Sequence, residues 1–418
     1  MNLSTRELLD FVKENDIKFI RLSFVDLDGN QKNLSVMSDE LENCLDAGVV
    51  FDGAVAGFDK KNGDLKLYPD IDTLHILPWR PQHGRVARFL CKIKDLSGKT
   101  VDFDCRELLT KSISKLKKLG FNCELGIDSE FYLFKTDEEG YPTKNAHDSA
   151  GYFDIAPLDK GENVRREICL TLEEMGIKPL SSHHEKGPGQ NEINFYATDA
   201  LSACDNQVIF KSVVKAVASR NGLFASFMPK PMENVSGNGL AVNIDLFKDK
   251  KPFFAEEKLG LEADGFIAGV LNRAREMSLF FNTIPNSYER LGEFEAPDAV
   301  EFSSSGDRSR FSRFAFKGKE KKFEMRSLDG ACNIHLVTSL IINAGVEGIK
   351  NREMLKDFQR ISLPHDMSEA IKEAEKSEFL KDCLGASLLN DYLNSKRLLQ
   401  KQYMINKAQA NKNAFERI

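Results

Sequence analysis

The chain lacks several features that would place it in a membrane or an oxidising compartment. Its eight cysteines stand singly, without a CxxC pair, so reduced buried thiols are expected and a disulfide scaffold is not. No run of about 18 apolar residues is present that could span a membrane. The first residues, Met-Asn-Leu-Ser-Thr-Arg-Glu, lack the apolar core of a signal peptide. The sequence therefore predicts a cytoplasmic protein with no membrane partner.

An excess of positive charge is also missing. Lys and Arg total 58 against 64 Asp and Glu, which gives a formal net charge of −6 at pH 7. Because nucleic-acid-binding proteins usually carry a basic surface, no nucleic-acid partner is expected. The 418 residues are sufficient for two domains with a sizeable core. These bulk properties are typical of a large soluble enzyme.

The first part of the chain, residues 1–104, has the mixed pattern of a small α+β domain. Ser4 and Glu7 form a capping box that predicts an amphipathic helix to about Asn15. Strand-like segments and one hairpin signal follow at 19–26, Asp28-Gly29, 31–36 and 86–93.

The second part, residues 105–418, alternates predicted helices with acidic strands. The helices are expected at 106–119, 162–176, 205–221, 262–280 and 335–350, and a series of charged helices is expected from about Ser368. No internal repeat or Pro-rich linker divides this part, so we treat it as one large domain.

Residues 182–195 form the most informative segment. Glu185 and Glu192 lie on either side of the turn Gly187-Pro188-Gly189. If a strand follows the turn, Glu192 and Asn194 share one face of it, because side chains alternate along a strand. Buried carboxylates need a cation, and Mg²⁺ and Mn²⁺ take oxygen ligands. Taken alone, the segment is equally compatible with a metal site and with a solvated turn.

Two further strands favour the metal site. In 125–134, Asp128, Glu130 and Tyr132 share one face, with apolar residues on the other. In 323–329, Glu324 and Arg326 share a face in the same way. Any one of these patterns fits an antiparallel sheet with one face on a core and the other exposed to solvent. Three of them together predict the wall of a metal-lined cleft.

At these residues the chain resembles glutamine synthetases of the bacterial type I class over nearly its whole length. The matching motifs, in order, are Phe51-Asp52-Gly53, Tyr68-Pro69-Asp70, Pro78-Trp79, 126–131, 151–154, 163–166, 183–192, 227–231, 286–290, Glu295-Ala296-Pro297 and 308–313. The resemblance implies an α+β protein with a small N-terminal β-grasp-like domain and a large glutamine synthetase-type catalytic α/β domain. It further implies a homo-oligomer, a hexameric ring or a dodecamer of two stacked rings, with active sites between adjacent subunits.

The resemblance also implies the reaction and its cofactors. ATP phosphorylates the side-chain carboxylate of glutamate, and ammonia then displaces phosphate, with Mg²⁺ or Mn²⁺ neutralising the oxygens. The metal ligands implied are Glu130, Glu185 and Glu192 for the first ion and Asp128 and Glu324 for the second. The substrate-binding residues implied are Arg290, Arg326 and Gly237, and the nucleotide- or phosphate-binding residues are Arg308, Arg313 and Lys322. The catalytic residues implied are Asp52, Glu295 and Arg308.

The chain departs from the family pattern at the second metal position. Ala241 and Asn243 stand where the family has histidines, and Asp128 is one methylene shorter than the family's glutamate. Asp245 replaces a hydroxyl near the nucleotide and is expected to repel phosphate unless a cation intervenes. We therefore expect one bound ion, with the second site weak or empty.

Other departures affect the ATP and ammonia sides. Ala54 and Val55 replace serines beside Asp52, and Lys322 replaces an arginine near the nucleotide. The region between Asn351 and Leu363 is shorter than in the family, and the aromatic motif that clasps rings together is missing from the tail.

Three hypotheses for function follow. The first is an ATP-dependent ligase that joins ammonia or a small alkyl- or polyamine to the γ-carboxylate of glutamate, with reduced activity as one version of it. The second is a catalytically impaired relative that binds glutamate or glutamine as a sensor or assembly partner. The third is a ligase or kinase for another acidic substrate. The retained carboxylates and arginines favour the first hypothesis.

Overall fold

The structure is a computed structural model that describes residues 4–56, 63–80, 82–255, 259–317 and 320–418, without the side chains of Lys317 and Glu320. The first part of the chain contains α1 (Thr5–Glu14), β1 (Ile17–Val25), β2 (Gln31–Met37), α2 (Leu41–Ala47), β3 (Val49–Asp52), β4 (Asp64–Pro69), β5 (His75–Ile76) and β6 (Arg85–Lys94). These strands form one sheet in the order β2-β1-β6-β4-β3, with β5 also paired to β6. Among these pairs, only β1 and β6 run parallel.

Local sequence signals explain this first unit. The Ser4 hydroxyl accepts from the backbone N–H of Glu7, and the Glu7 carboxylate accepts from the backbone N–H of Ser4, which confirms the predicted capping box. The predicted hairpin at Asp28-Gly29 joins β1 and β2, which pair antiparallel. One face of the sheet packs on α1 and α2 around a separate apolar core.

The second part begins with α3 and contains the larger sheet. Its elements up to the middle are α3 (Cys105–Lys117), β7 (Phe121–Thr136), β8 (Pro142–Ala146), α4 (Glu162–Glu174), β9 (Pro179–His184), β10 (Gln190–Phe195), β11 (Thr198–Asp199), α5 (Ala200–Arg220), β12 (Leu223–Ser226), β13 (Leu240–Lys248) and β14 (Lys251–Pro252). The rest are α6 (Leu261–Phe281), β15 (Ala299–Val300), β16 (Phe302–Ser303), β17 (Ser312–Lys317), β18 (Glu320–Met325), α7 (Ile334–Asn351), β19 (Ile361–Ser362), α8 (Met367–Lys376), α9 (Glu378–Leu384), α10 (Ala386–Ile405) and α11 (Lys407–Arg417). In the part of the chain that is described, no helix is both long and apolar enough to cross a bilayer.

The large sheet runs in the order β16-β17-β18-β13-β7-β10-β9. The long strand β7 lies at its centre and also pairs with β8, β11 and β12. Apolar side chains of β7 and β13 pack with α6, α7 and α10 in the main core, while α4 and α5 cover a second core beside β10. The opposite faces of β7, β10 and β13 are left to line a cleft.

Two predicted element bounds were wrong. Helix α5 begins at Ala200, not at residue 205, because the Asp199 side chain accepts from the backbone N–H of Ser202 and caps the helix there. Strand β18 ends at Met325, one residue before Arg326. The other predicted helices of the second part agree with the structure to within two residues at each end. The predicted boundary between domains at residues 104 and 105 lies between β6 and α3 and stays a prediction.

Helices α6 and α7 approach each other closely because glycines line their crossing. A Cβ atom on Gly348 would overlap the Gly265 carbonyl oxygen and lie 2.6 Å from the Gly269 Cα. Both helices are long and almost completely buried along this contact. Close packing here holds the main core beneath the cleft.

We predict that Gly348→Ala lowers the stability of the protein by about 1–3 kcal/mol, because the added methyl group overpacks the crossing. The thermal unfolding midpoint measures this effect. Gly306→Ala is the matched control, since a Cβ atom there meets nothing within 4 Å. Equal midpoints for the two variants would contradict the prediction.

Candidate active site

A cleft of about 740 Å³ opens on the polar face of the large sheet. It collects eleven of the thirteen residues predicted for the site: Asp128, Glu130, Glu185, Glu192, Gly237, Arg290, Glu295, Arg308, Arg313, Glu324 and Arg326. Asp52 and Lys322 do not line it. The metal-lined wall predicted from three separate strands is therefore one continuous surface.

The strand register places the carboxylates opposite one another. Glu192 on β10 pairs directly with Glu130 on β7, and Asn194 pairs with Asp128 in the same ladder. Like charges at directly opposed positions destabilise a sheet. Ile193, between the two polar residues, points into the apolar core beside β10. The alternation predicted for residues 191–195 is thus present, and it concentrates negative charge on the cleft face.

Burial and mutual repulsion raise the pKa of each carboxyl in this cluster. Burial, followed by the nearby Glu192 carboxylate, raises the pKa of Glu130 to about 7. The pKa of Glu185 is raised by burial and by Glu130, and the pKa of Glu192 is raised by burial and by Asp128. The backbone N–H of Gly239 donates to Glu130 Oε2 at 2.7 Å, which offsets only part of this effect. Three such carboxylates fit a hard divalent cation, which would compensate their repulsion.

His183 belongs to the same cluster and was given no role in the sequence analysis. Its Nδ1 lies 3.6 Å from Glu185 Oε1, and its Nε2 lies 3.9 Å from Glu192 Oε2. One ligand atom from each of these three residues can be chosen so that all lie within 4.8 Å of one another. Burial lowers the pKa of His183, which favours the neutral imidazole that metals bind. The sequence signal that could have identified His183 is the hairpin itself, which pairs it with Glu192.

The second predicted metal position has a different character. Ala241 pairs with Asp128 across β13 and β7 and offers no ligand atom. The Asn243 amide donates to Asp128 Oδ2 at 2.8 Å. Arg326 Nη1 donates to Glu324 Oε1 at 2.8 Å, and Arg313 forms a second salt bridge to the same carboxylate. These residues do not fit a second divalent ion, since protein cations already neutralise Glu324.

Arg290 and Gly237 form the wall next to Glu130. Arg290 is buried, and its Nη2 donates to the carbonyl oxygens of Ser327 and Leu328 at 2.6 and 2.9 Å. A Cβ atom on Gly237 would overlap the Pro229 carbonyl oxygen and lie 2.7 Å from Arg290 Cγ. The backbone can pass this close to the guanidinium only with glycine at 237.

The remaining arginines form a chain toward the mouth of the cleft. Arg326 Nε donates to the Arg308 carbonyl oxygen at 2.7 Å, and Arg308 Nη1 donates to the Tyr152 hydroxyl at 3.3 Å. Together with Arg313, these guanidiniums line the same cleft as the carboxylate cluster. Their planar forks suit carboxylate or phosphate oxygens.

Glu295 lies across the mouth of the cleft. Its Oε1 is 2.5 Å from Lys186 Nζ, and its Oε2 is 4.0 Å from Arg326 Nη2. The sequence analysis missed Lys186, which follows Glu185 in the hairpin turn. Burial opposes ionisation of Glu295, but the Lys186 ammonium outweighs it and lowers the pKa of the carboxyl. The segment that carries Glu295 is thereby joined to the hairpin that carries Glu185 and Glu192.

Two predicted residues lie elsewhere. Lys322 is buried, and its Nζ lies 2.7 Å from Asp245 Oδ2, so it is the cation that Asp245 was expected to need. Asp52 lies at the end of β3 in the first unit, where its carboxylate accepts from the backbone N–H of Ala54 at 2.9 Å. The roles assigned to both residues stay predictions.

Comparison with known proteins supplies the family. The chain matches the models for "Glutamine synthetase, beta-Grasp domain" over residues 16–96 and "Glutamine synthetase, catalytic domain" over residues 102–415. A glutamine synthetase from Clostridium saccharobutylicum is 40% identical over 413 residues, covering 93% of each chain. One from Methanosarcina mazei is 40% identical over 420 residues, covering 95% of this chain and 94% of the relative. The predicted fold class, with a β-grasp domain and a large catalytic domain, is confirmed.

Solved structures agree with these matches. The apo form of a protein named GmaS is 26% identical and superimposes with a TM-score of 0.86, covering 96% of this chain and 97% of its own. A Plasmodium falciparum glutamine synthetase, 24% identical, superimposes with a TM-score of 0.87 and covers 97% of each chain. At that identity the second match supports the fold alone.

We predict that Mn²⁺ binds more tightly at pH 8 than at pH 6. Below about pH 7 the Glu130 carboxyl holds a proton that the ion must displace, whereas above that pH it is ionised. Calorimetric titration at the two pH values measures the difference. Glu192→Gln should weaken binding at pH 8 at least about tenfold, while Asp39→Asn, at an exposed position of the first unit, should leave it unchanged. An affinity independent of pH would show that these carboxyls are not the ligands.

Proposed function

The chain belongs to the glutamine synthetase family, whose members are ATP-dependent ligases of glutamate, and we propose that it joins an amine to the γ-carboxylate of glutamate through a γ-glutamyl phosphate. The amine is ammonia or a small alkyl- or polyamine. The proposal rests on one observation: a cluster of carboxylates and four arginines line the same cleft. The arginines are Arg290, Arg308, Arg313 and Arg326. A purely structural surface has no physical need for this convergence of opposite charges.

The proposed reaction has two balanced steps. An oxygen of the glutamate γ-carboxylate takes the terminal phosphoryl group of ATP, and ADP leaves. The amine nitrogen then forms a bond to the γ-carbonyl carbon, the bond to phosphate breaks, and one proton leaves the nitrogen. A divalent ion held by Glu130, Glu185 and Glu192 would supply positive charge next to the substrate oxygens.

The arginines are assigned to the anionic groups of this reaction. Arg290 and Arg326 are the cations whose charge acts on Glu130, and we assign them to the glutamate carboxylate and the transferring phosphoryl group. Arg308 and Arg313, toward the mouth, are assigned to the ATP phosphates. Glu295 keeps water out of the site by holding its segment against Lys186 at 2.5 Å.

Small apolar residues at two positions indicate which amine the protein uses. Ala241 lines the cleft where the family has a histidine, which leaves apolar room beside Asp128. Val55, half exposed next to Asp52, offers no hydroxyl to an ammonium ion. Both substitutions favour an amine that carries carbon substituents over ammonia, because apolar groups can fill the space.

Asp52 requires a second subunit. It does not line the cleft of its own chain, yet a carboxylate is suited to accept the proton that the amine loses. We therefore propose a homo-oligomeric ring, a hexamer or a dodecamer, in which the first unit of one subunit brings Asp52 to the cleft of the next. We also propose that Lys322 acts on the nucleotide through Asp245, which it neutralises.

A second candidate function is a catalytically impaired relative that binds glutamate or glutamine as a sensor or assembly partner. The engagement of Glu324 by Arg313 and Arg326 favours it, because that carboxylate cannot then hold a second ion beside ATP. Glutamate binding would survive this change, since Arg290 and the first carboxylate cluster are intact.

We predict amine-dependent ADP release when the protein is given ATP, Mg²⁺ or Mn²⁺, glutamate and one of a panel of ammonia, alkylamines and polyamines. Arg326→Ala should reduce kcat/KM at least about 10²-fold, as expected for loss of a charge-stabilising contact. Lys251→Ala, at an exposed position away from the cleft, is the control. No turnover with any amine, together with calorimetric binding of glutamate but not ATP, would reject the ligase and support the sensor.

We predict that two variants, each inactive alone, regain ligase activity when their subunits assemble into one mixed oligomer. Asp52→Ala and Glu130→Ala should each be inactive alone, but co-expressed subunits should recover up to about a quarter of wild-type activity, because some clefts then combine two intact contributions. Sequential purification on two affinity tags, one carried by each variant, confirms mixing. A mixed oligomer without any recovered turnover would show that Asp52 does not complete the cleft of a neighbouring subunit.

A further inference from the structure

A second cavity, of about 260 Å³, lies between the first sheet and helix α5. It shares no lining residue with the catalytic cleft. Among the described residues of its wall there is no carboxylate. Five basic side chains line it: Arg21, Arg88, Lys211, Lys215 and Arg417. Positive charge this concentrated repels itself unless an anion is present.

Arg88 is the central residue of this cavity. Its side chain is only 3% exposed, and its Nε and Nη2 have no hydrogen-bond partner in the part of the chain that the structure describes. A buried guanidinium without partners is costly, because it has lost its hydration and gained nothing in return. Burial accordingly lowers the pKa of Arg88 to about 10.

The nearest carboxylate does not contact Arg88. Asp205 is engaged by Arg106, whose Nε and Nη2 both lie 2.9 Å from its oxygens, and by His335 Nε2 at 2.8 Å. Asp205 therefore acts on Arg88 only at a distance. No carboxylate among the described residues therefore contacts Arg88 directly.

The other four basic groups also lack a carboxylate partner within the described residues. Arg21 on β1 stands beside Arg88 on β6 in the parallel ladder, so two guanidiniums share one sheet face. Lys211 donates to the Gly330 carbonyl oxygen and Lys215 to that of Arg417, both at 2.8 Å. Backbone carbonyls orient these ammonium groups without neutralising them.

We propose that this cavity binds a small anion that carries at least two negative charges, either a phosphate group or a dicarboxylate. Two adjacent guanidiniums form bidentate hydrogen bonds with oxygens of either kind. The volume admits a molecule smaller than a typical drug-sized ligand. Ser23 and Asn33 in the wall supply neutral polar groups for the remaining oxygens. Since β1 and β6 form one side and α5 the other, the bound anion joins the two parts of the chain.

Thermal unfolding of the full-length protein tests the proposal. Sodium phosphate or sodium succinate replaces sodium chloride up to about 10 mM at constant ionic strength. At least one of the two should raise the unfolding midpoint by about 2 °C or more, because a ligand that binds only the folded state stabilises it. A shift with phosphate alone identifies phosphate as the ligand class, and a shift with succinate alone identifies a dicarboxylate.

Variants locate the binding. Arg88→Met should abolish the shift and should not lower the midpoint without anion, since it removes a buried unpartnered charge. Arg21→Met, at a partly exposed position, should raise the dissociation constant measured by calorimetry at least about tenfold. It replaces Arg88→Met in the test if that variant does not fold. Lys251→Met, remote from the cavity, should leave the shift unchanged.

Phosphate can also enter the catalytic cleft as a reaction product, so a cleft variant is needed. Arg313→Met should retain the shift, because Arg313 does not line this cavity. No shift with either anion in the wild type, or a full shift in both Arg88→Met and Arg21→Met, would overturn the proposal. Neither result depends on amine turnover, so this test can fail without affecting the ligase proposal, and the ligase proposal can fail without affecting this one.

Discussion

The organisation of the catalytic cleft depends on the repulsion among three carboxylates, of which Glu185 is buried and Glu130 and Glu192 are partly buried. The sheet register sets Glu192 opposite Glu130, and the hairpin turn brings Glu185 beside them. Strand pairing enforces this proximity regardless of its electrostatic cost. The surrounding structure is arranged to offset that cost, with a backbone N–H on Glu130 and arginines across the cleft. A site that holds its charges apart from water in this way is prepared for a cation and for anionic substrates.

The region around Ala241 shows how acidic side chains can be stabilised by other protein groups. Asn243 holds Asp128, and Arg313 and Arg326 hold Glu324, so the two acidic residues keep compensating contacts without an ion. Guanidinium groups are bulky and fixed, however, whereas a metal ion can accept a new oxygen from the substrate. Contacts of this kind therefore stabilise the carboxylates but leave them less able to rearrange around a bound ligand.

The sequence was sufficient to predict the elements whose signals are local. The capping box, the hairpins and the alternation of Glu192 with Ile193 depend on neighbours in sequence, and the structure has them. The family resemblance supplied the fold class. His183 was missed although the local hairpin pairs it with Glu192. The contact of Lys186 with Glu295 was missed because it depends on tertiary packing between residues more than a hundred positions apart. Likewise, the partner of Lys322 could not be foreseen, because β13 and β18 are separated by a long helix.

The buried pair of Lys322 and Asp245 bears on how this lineage could change. Both side chains are almost fully enclosed, and their charged atoms are 2.7 Å apart. A substitution at either position alone would bury a charge that has lost this salt bridge, which is usually strongly destabilising. The two positions are therefore epistatic, and a neutral residue at one of them is tolerated only together with a change at the other. Such a constraint acts as an evolutionary ratchet, because neither single substitution leads through a stable protein.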